Sequence, residues 1–391
     1  PYDVYNRQEA YAEVQKEKLS FLSIDRAEVQ FDDSVDPYAE CVYLKARDTL
    51  NQMIQDGIFI EEDQPCYYIY SQTMEGREQS GLVATVSIYD YLDNVIKKHE
   101  NTREEKEIDR ITHVDTTNAH TGPIFLAYPS EEAINAIVEK EKEKAPLYDF
   151  TSPDGIKHVV WRISEQDTIL QLKTLFSNLN SIYIADGHHR AASAVKVGLK
   201  RKNENPNHTG QEEYNFFLSV LFPHDQLKIL SYNRVVTDLN GMDEKEFIRA
   251  LKQNFTVEKL GSIPFSPSKK GTFGMYLDNC WYQLSVKPEL IPTDPVGSLD
   301  VSILQDLVLE PLLGIKDPKR DGRIDFVGGI RGLKELENRV ANDMKVAFSM
   351  YPTSIEELFE VSDAEQLMPP KSTWFEPKLR SGIFVHKLTE L

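Results

Sequence analysis

The segment whose residue types most clearly suit a chemical function runs from Tyr183 to Arg190 and reads Tyr-Ile-Ala-Asp-Gly-His-His-Arg. A short apolar run precedes Asp186-Gly187, and small and apolar residues recur at helical spacing after His188, which predicts a strand, a sharp turn and a helix. The first turn of such a helix presents free N–H groups and the positive end of its dipole. The sequence therefore predicts a phosphate-binding element at this turn.

The residue types at the turn suit phosphate chemistry. Gly187 lets the backbone approach a phosphate closely, and Arg190 with one or both of His188 and His189 can donate hydrogen bonds to its oxygens. Asp186 can hold Mg²⁺ or orient a histidine. In the alternative interpretation Asp186 only caps the helix, the histidines face solvent and the arginine forms a surface ion pair. Two histidines and an arginine directly after the turn favour the functional interpretation.

Two further segments carry chemically useful side chains. Lys97-Lys98-His99-Glu100 precedes a Thr-x-x-Glu capping box at Thr102, which predicts a helix to about Asn118. A glutamate there can accept a hydroxyl proton, although such charge runs are commonly solvated surface. Near the C-terminus two prolines precede Lys371, Ser372 and Thr373, whose side chains can bind a carboxylate or phosphate. In the alternative interpretation this segment is only the entry to a strand.

Other site types have less support. The chain has no GxxxxGK[ST] and no GxGxxG after a strand, so neither a P-loop nor a dinucleotide fold is indicated. The glycine-rich segment 328–332 is a weaker candidate for an anion site.

Composition limits the partners. The chain of 391 residues has 44 basic and 63 acidic residues and a formal charge of -19, which repels nucleic acid and anionic membrane surfaces. No apolar run has the length of a membrane span. The three cysteines are widely separated, so a disulfide framework is not expected and a cytoplasmic location fits best. The chain begins at Pro1 without an initiator methionine, so whether an N-terminal segment precedes it is open.

Strand and helix patterns alternate along the chain and predict a mixed α/β protein. A helix follows Asp36-Pro37, with Gly57 at its end, and two β-rich runs at 66–70 and 82–91 predict a hairpin with a long polar turn. The length favours two lobes. The Ser- and Pro-rich stretch 262–270 suggests a boundary, giving an N-terminal lobe over residues 1–260 and a C-terminal lobe over 261–391 that contributes the PPKST loop.

The motifs together resemble known families. The segment IADGHHRAASAVKVG is similar to the phosphate-binding element of the ParB/sulfiredoxin-like fold, and closer to the VDGHHR form of free serine kinases. KKHE resembles the KPHE segment of those kinases, and PPKST resembles their SPKTT segment, in the same order. Trp374-Phe375 departs from the basic pair that the kinases have there. Over nearly its whole length the chain resembles the bacterial family DUF1015, through segments such as QTMEGR and RIDFVGGIRG.

The resemblance implies a ParB/sulfiredoxin-like nucleotide-binding core with a large additional mixed lobe. It implies a kinase that moves a phosphoryl group from ATP or ADP, with Mg²⁺ held by Asp186, to free L-serine or a similar small hydroxy acid. Glu100 is then the general base, with His99 and Asp186 as further catalytic residues, the DGHHR turn as phosphate cradle and the PPKST loop at the substrate. Two alternatives are a nucleotide-binding regulatory module without turnover, and a metal-dependent hydrolase built on Asp186, His188, His189 and His99. The oligomeric state is open.

Overall fold

The computed structural model describes residues 2–389. The chain forms two compact units. The first contains residues up to Leu227 and, after the chain returns, those from Pro377 onward; the second is Lys228–Glu376. The boundary predicted at 260/261 falls at the end of a strand inside the second unit, whereas the chain passes between the units at 227/228 and 376/377.

The first unit combines helices with a mixed sheet. Its helices are α1 (Arg7–Lys16), α2 (Leu22–Asp25), α3 (Glu40–Gln55), α4 (Ile88–Leu92), α5 (Glu104–Thr117), α6 (Glu132–Lys142), α7 (Gln166–Ser177) and α8 (His188–Glu204). Its strands are β1 (Tyr67–Met74), β2 (Arg77–Ser87), β3 (Ile96–Lys97), β4 (Ala119–His120), β5 (Ile124–Tyr128), β6 (Tyr148–Thr151), β7 (Lys157–Ile163), β8 (Ile182–Asp186), β9 (Phe216–Pro223) and, after the return, β18 (His386–Lys387).

Eight of these strands form one sheet in the order β3-β8-β5-β9-β2-β1-β7-β6. The pairs β3/β8 and β5/β9 are parallel, and the other neighbours are antiparallel. Strands β4 and β18 pair with each other, with His386 opposite His120, and this pairing attaches the returning C-terminal segment to the first unit. Apolar side chains from the sheet, α6, α7 and α8 form the main core, which includes Ile69, Leu126, Ile184, Ala191 and Phe217.

The second unit is built around an antiparallel sheet in the order β12-β14-β13-β16-β11-β15. Its strands are β10 (Ile229–Leu230), β11 (Tyr232–Val236), β12 (Phe255–Gly261), β13 (Thr272–Leu277), β14 (Cys280–Val286), β15 (Ile324–Gly328), β16 (Val346–Ser349) and β17 (Trp374–Phe375). Its helices are α9 (Glu244–Leu251), α10 (Asp300–Leu304), which continues as a π-helix over Gln305–Leu309, α11 (Gly332–Asn342) and α12 (Ile355–Asp363). The mixed α/β class is thus confirmed.

The predicted hairpin exists, but its long polar turn is wrong. Strands β1 and β2 run to a two-residue turn at Glu75-Gly76, where both residues have positive φ. The polar residues taken for a turn lie inside the strands and bond across them: the Ser71 and Ser80 hydroxyls pair, and Gln79 Nε2 donates to Gln72 Oε1 at 3.1 Å. Polar side chains in a buried strand pair are stable when they satisfy each other, so polarity alone misplaced the turn.

The helix predicted after Asp36-Pro37 is α3, which packs Tyr43, Ala46 and Leu50 into a second core. The helix expected at Thr102 is α5, but its cap differs. Arg103 occupies the N-cap without a side-chain hydrogen bond, and the Thr102 hydroxyl binds Glu107 instead of closing a capping box. Within residues 2–389, none of the helices is long and apolar enough to cross a membrane.

Candidate functional site

The strand–turn–helix predicted at Asp186-Gly187 is confirmed by β8 and α8. Buried strand residues lead to Gly187, which has a φ of 97° and occupies the N-cap of the 17-residue helix. A side chain there is disfavoured twice, because φ is left-handed and because a Cβ would lie 3.2 Å from the Nε and Nη2 atoms of Arg190. Gly187 therefore lets the guanidinium group fold back over the first turn of the helix.

Replacing Gly187 with alanine should disturb both stability and the site. We expect the free energy of unfolding to fall by about 1–3 kcal/mol through backbone strain, and Arg190 to be displaced. Gly210→Ala is the matched control, since Gly210 has a φ of 89° and no atom within 4 Å of an added Cβ. Urea unfolding should show similar losses from strain in both variants, whereas phosphate binding should weaken only in Gly187→Ala. Equal phosphate affinities in the two variants would contradict the role given to the glycine.

Asp186 faces two cationic side chains. Its Oδ2 atom lies 3.5 Å from Arg190 Nη2 and 3.6 Å from Lys378 Nζ. Burial alone would raise the pKa of Asp186, but Lys378 and then Arg190 outweigh it and hold that pKa below its ordinary value. The Arg190 Nη1 atom also donates to the Pro123 carbonyl at 2.6 Å, which fixes the guanidinium group. The turn thus presents a carboxylate with two cations beside the free end of α8.

His99 and His188 form a buried pair beside this turn. Their rings meet edge-on with centroids 4.4 Å apart, and the His99 backbone N–H donates to His188 Nε2 at 3.4 Å. Since Nε2 accepts, a neutral His188 carries its proton on Nδ1, and that atom lies 3.9 Å from Glu100 Oε2. Burial lowers the pKa of both histidines, so they are neutral near pH 7. His188 therefore lies beside the Glu100 carboxylate as well as opening α8.

The next residue, His189, is also held by the loop that carries Glu100. The Arg103 backbone N–H donates to His189 Nε2 at 3.0 Å. This leaves the Nδ1 proton of a neutral His189 for other partners. Burial, followed by the charge of Lys106, lowers the pKa of His189. The two histidines together connect the start of α8 to the segment between β3 and α5.

A cavity of about 400 Å³ joins these groups. One wall contains Glu100 and the whole turn from Asp186 to Arg190. The rest of the lining comes from the N-terminal helices and α5, and includes Asp25, Arg26 and Arg110. The exposed fraction of the Glu100 side chain is 45%, against 4% for His188. The cavity thus brings together two motifs that are separated by more than eighty residues in the sequence.

The buried histidine His99 should make stability depend on pH. Burial lowers its pKa from 6.5 to about 4 in the native state, although Asp186 and a hydrogen bond with the Ile184 backbone favour its charged form. Between these values the unfolded chain binds a proton that the native state excludes. Stability is therefore retained above pH 6.5 and is lost as the pH falls toward 4, by about 3 kcal/mol for this group.

Urea unfolding of His99→Gln and of the unchanged protein at several pH values tests this. The variant should lose less free energy of unfolding than the unchanged protein as the pH falls from about 7 to 5. Two other buried histidines, His113 and His158, have pKa values of about 4. Both proteins should therefore keep part of the dependence of the free energy of unfolding on pH. Parallel curves would show that His99 is not held neutral.

The PPKST loop lies in the second unit. Lys371 has a φ of 58°, and its ammonium lies 5.5 Å from the centroid of the Tyr232 ring. Ser372 is buried, and its hydroxyl donates to the Pro369 carbonyl at 2.6 Å while its own carbonyl accepts from Thr353 at 2.9 Å. Thr373 is half-buried and leads into β17. The Ser372 hydroxyl therefore has a structural partner, and the substrate-binding role of the three residues stays a prediction.

The metal-site alternative gains no support. No group of three or more His, Cys, Asp or Glu side chains within residues 2–389 is arranged to hold a metal ion. Of the four residues proposed for a hydrolase, His99 and His188 bind each other and Asp186 faces cations. This arrangement is that of a hydrogen-bonded, cation-rich pocket.

The sequence did not predict that Lys378 lies at the site, or that residues of the N-terminal helices and α5 line the cavity. Lys378 belongs to the segment that returns to the first unit, and its backbone carbonyl accepts from the buried amide of Gln72 at 2.8 Å. Its nearest motif, PPKST, lies in the other unit, so motif order gave no signal for it. Asp25 and Arg110 lie in ordinary helical stretches, where only the fold places them at the cavity.

The first unit thus defines a mixed α/β protein with a glycine turn that opens a helix at a polar cavity. The family model described as "Protein of unknown function (DUF1015)" matches residues 1–302, and the chain belongs to this family, as predicted. No curated relative matches the chain.

Several solved structures are similar to the chain. A mutant free serine kinase in complex with AMP has 15% identity and a TM-score of 0.38, covering 75% of this chain and 86% of that one. A conserved hypothetical protein from Pyrococcus furiosus has 15% identity and a TM-score of 0.37, covering 76% and 93%. SbnI with a C-terminal truncation, from Staphylococcus aureus, has 11% identity and a TM-score of 0.41, covering 78% and 87%.

Proposed function

We propose that the protein is a small-molecule kinase that transfers a phosphoryl group from ATP or ADP to the hydroxyl of free L-serine or a similar small hydroxy acid. The observation that carries the proposal is the single cavity that contains both Glu100 and the Asp186–Arg190 turn. A proton acceptor and a phosphate cradle are the two parts that phosphoryl transfer to an alcohol requires. The ordered resemblance of KKHE and DGHHR to free serine kinase motifs supports the same reading.

The positively charged groups at the start of α8 indicate where the nucleotide phosphates bind. The N–H groups at the start of α8 and the side chains of Arg190 and Lys378 are donors suited to phosphate oxygens. Asp186 keeps the two cations in place, because its lowered pKa leaves it ionised at neutral pH. The nucleotide phosphates bind here, and the positive groups stabilise charge on the phosphoryl group during transfer.

The acceptor end follows from Glu100. Its carboxylate is partly exposed in the cavity and lies 3.9 Å from Nδ1 of the neutral His188. The acceptor hydroxyl gives its proton to Glu100 while its oxygen forms a bond to the terminal phosphorus of the nucleotide. The bond from that phosphorus to the bridging oxygen breaks, and the nucleotide leaves with one phosphate fewer. The protein's contribution is mainly positioning and charge stabilisation.

Magnesium is a separate part of the proposal. A carboxylate such as Asp186 is the ligand type that Mg²⁺ prefers, and the ion usually completes its shell with water and nucleotide phosphates. Asp186 already faces Lys378 and Arg190, however, so the residues present fit a metal poorly. The two side chains supply the positive charge, and the steps above use no metal.

Phosphorus NMR tests the function directly. The protein is incubated with ATP or with ADP, and with L-serine or a panel of small hydroxy acids, in the presence of Mg²⁺ and in the presence of a chelator. We expect a phosphomonoester resonance to appear together with ADP or AMP in equal amount. Nucleotide binding without any product across the panel would instead identify a regulatory module.

A further inference from the structure

The lining of the cavity that contains the glycine turn includes a buried carboxylate with an unpartnered oxygen. Asp25 is the last residue of α2 and has an exposed fraction of 3%. Its Oδ1 atom accepts from the Thr121 hydroxyl at 2.7 Å. Its Oδ2 atom is buried and has no hydrogen-bond partner among the described residues. Asp25 lines the same cavity as Glu100 and the turn at Gly187.

The cations around Asp25 are occupied elsewhere. Arg110 uses Nε and Nη2 to bind Asp109, both at 2.9 Å. Arg26, the next residue in the chain, binds Glu28 through Nε at 2.6 Å. His113 also lies nearby, but burial keeps it neutral by lowering its pKa to about 4. The charge of Arg110 also interacts with Asp25, but none of these groups donates a hydrogen bond to the Asp25 Oδ2 atom.

A buried carboxylate oxygen without a donor is costly, because it has lost its hydration without replacement. Such a group persists where a ligand supplies the missing donor. An ammonium group is the best complement, since it offers three donors and a positive charge. A neutral hydroxyl would offer a single donor and no positive charge. The chemistry of Asp25 thus points to a cationic amine.

We infer that Asp25 binds the ammonium group of an amino-acid acceptor and makes the site selective for hydroxy amino acids over hydroxy acids that lack an amine. This inference rests on the proposed kinase function and narrows its acceptor. Thr121 is a positioning residue, because it holds Oδ1 and so turns the carboxylate. The acceptor then lies with its ammonium group toward α2 and its hydroxyl toward Glu100.

The test compares two acceptors of nearly equal shape, L-serine and L-glycerate. L-serine carries an ammonium group at the carbon where L-glycerate carries a hydroxyl. Calorimetry measures their binding to the full chain before any turnover assay. We expect L-serine to bind about 100-fold more tightly than L-glycerate, and Asp25→Asn to weaken L-serine about 100-fold while changing L-glycerate less than about threefold. Asp48→Asn, on an exposed position of α3, is the matched control and should change neither.

Several outcomes would overturn the inference: no binding of L-serine, equal binding of both acceptors to the unchanged protein, or equal weakening of both by Asp25→Asn. If Asp25→Asn does not fold, Thr121→Val replaces it. That variant should reduce the preference for L-serine, Thr121→Ser should restore it, and an unchanged preference in Thr121→Val counts against the inference. If L-serine binding depends on Asp25 but no phosphoryl group is transferred, the proposed kinase function is rejected and the ammonium-binding role of Asp25 is retained.

Discussion

Glu100→Gln should lower the rate of phosphoryl transfer by about 10²- to 10⁴-fold, the usual effect of losing a general base. Glutamine has nearly the same shape as glutamate, but it cannot take the proton of the acceptor hydroxyl. Because the side chain is 45% exposed, the substitution should leave the fold intact. The expected result is a fall in kcat with nearly unchanged nucleotide affinity, measured by coupled product assay and calorimetry.

Glu105→Gln is the control for this variant. Glu105 lies in the first turn of α5, is exposed and is not part of the cavity wall, so the same loss of charge there should leave the rate within about twofold. A Glu100→Gln protein with full activity would remove Glu100 from the chemistry. A parallel loss of nucleotide binding would show that Glu100 holds the nucleotide instead of the acceptor.

The local part of the site was predictable because it depends on neighbouring residues. A buried run, a glycine and a helical pattern determine the strand–turn–helix at Gly187 without help from distant parts of the chain. The sequence also indicated Glu100 as a base, but only by resemblance. What brings Glu100 to the turn is the parallel pairing of β3 with β8, and this long-range pairing cannot be read from either segment alone.

The parts that sequence reasoning missed depend on the path of the chain. The boundary was placed at a Ser- and Pro-rich loop, but composition does not reveal that the chain leaves the first unit at Leu227 and returns at Pro377. This return carries Lys378 to Asp186. The prediction of a long polar turn in the first hairpin was wrong for a related reason. The sequence alone does not give the strand register that pairs the Ser71 and Ser80 hydroxyls with each other. Polar residues are ambiguous until their partners are placed.

Lys378→Met should lower the rate of phosphoryl transfer by about 10²- to 10³-fold, because a cation aimed at developing negative charge is lost. Methionine keeps most of the aliphatic length, so packing around the side chain changes little. Nucleotide affinity should fall as well, since the same ammonium group contributes to phosphate binding. The rates are measured at saturating nucleotide, which separates the loss of kcat from the loss of affinity.

A pH profile distinguishes this role from a purely structural one. Lys378 is the largest of the influences that lower the pKa of Asp186. Its removal leaves Arg190 and a hydrogen bond with the Gly187 backbone against the effect of burial, so that pKa should rise. If ionised Asp186 is needed for activity, the acidic limb of the profile moves to higher pH in Lys378→Met. Lys387→Met, on the same returning segment but paired with Glu61 at 3.1 Å, is the matched control and should leave the profile in place. An unmoved acidic limb with a normal rate in Lys378→Met would mean that the lysine only fastens the C-terminal segment.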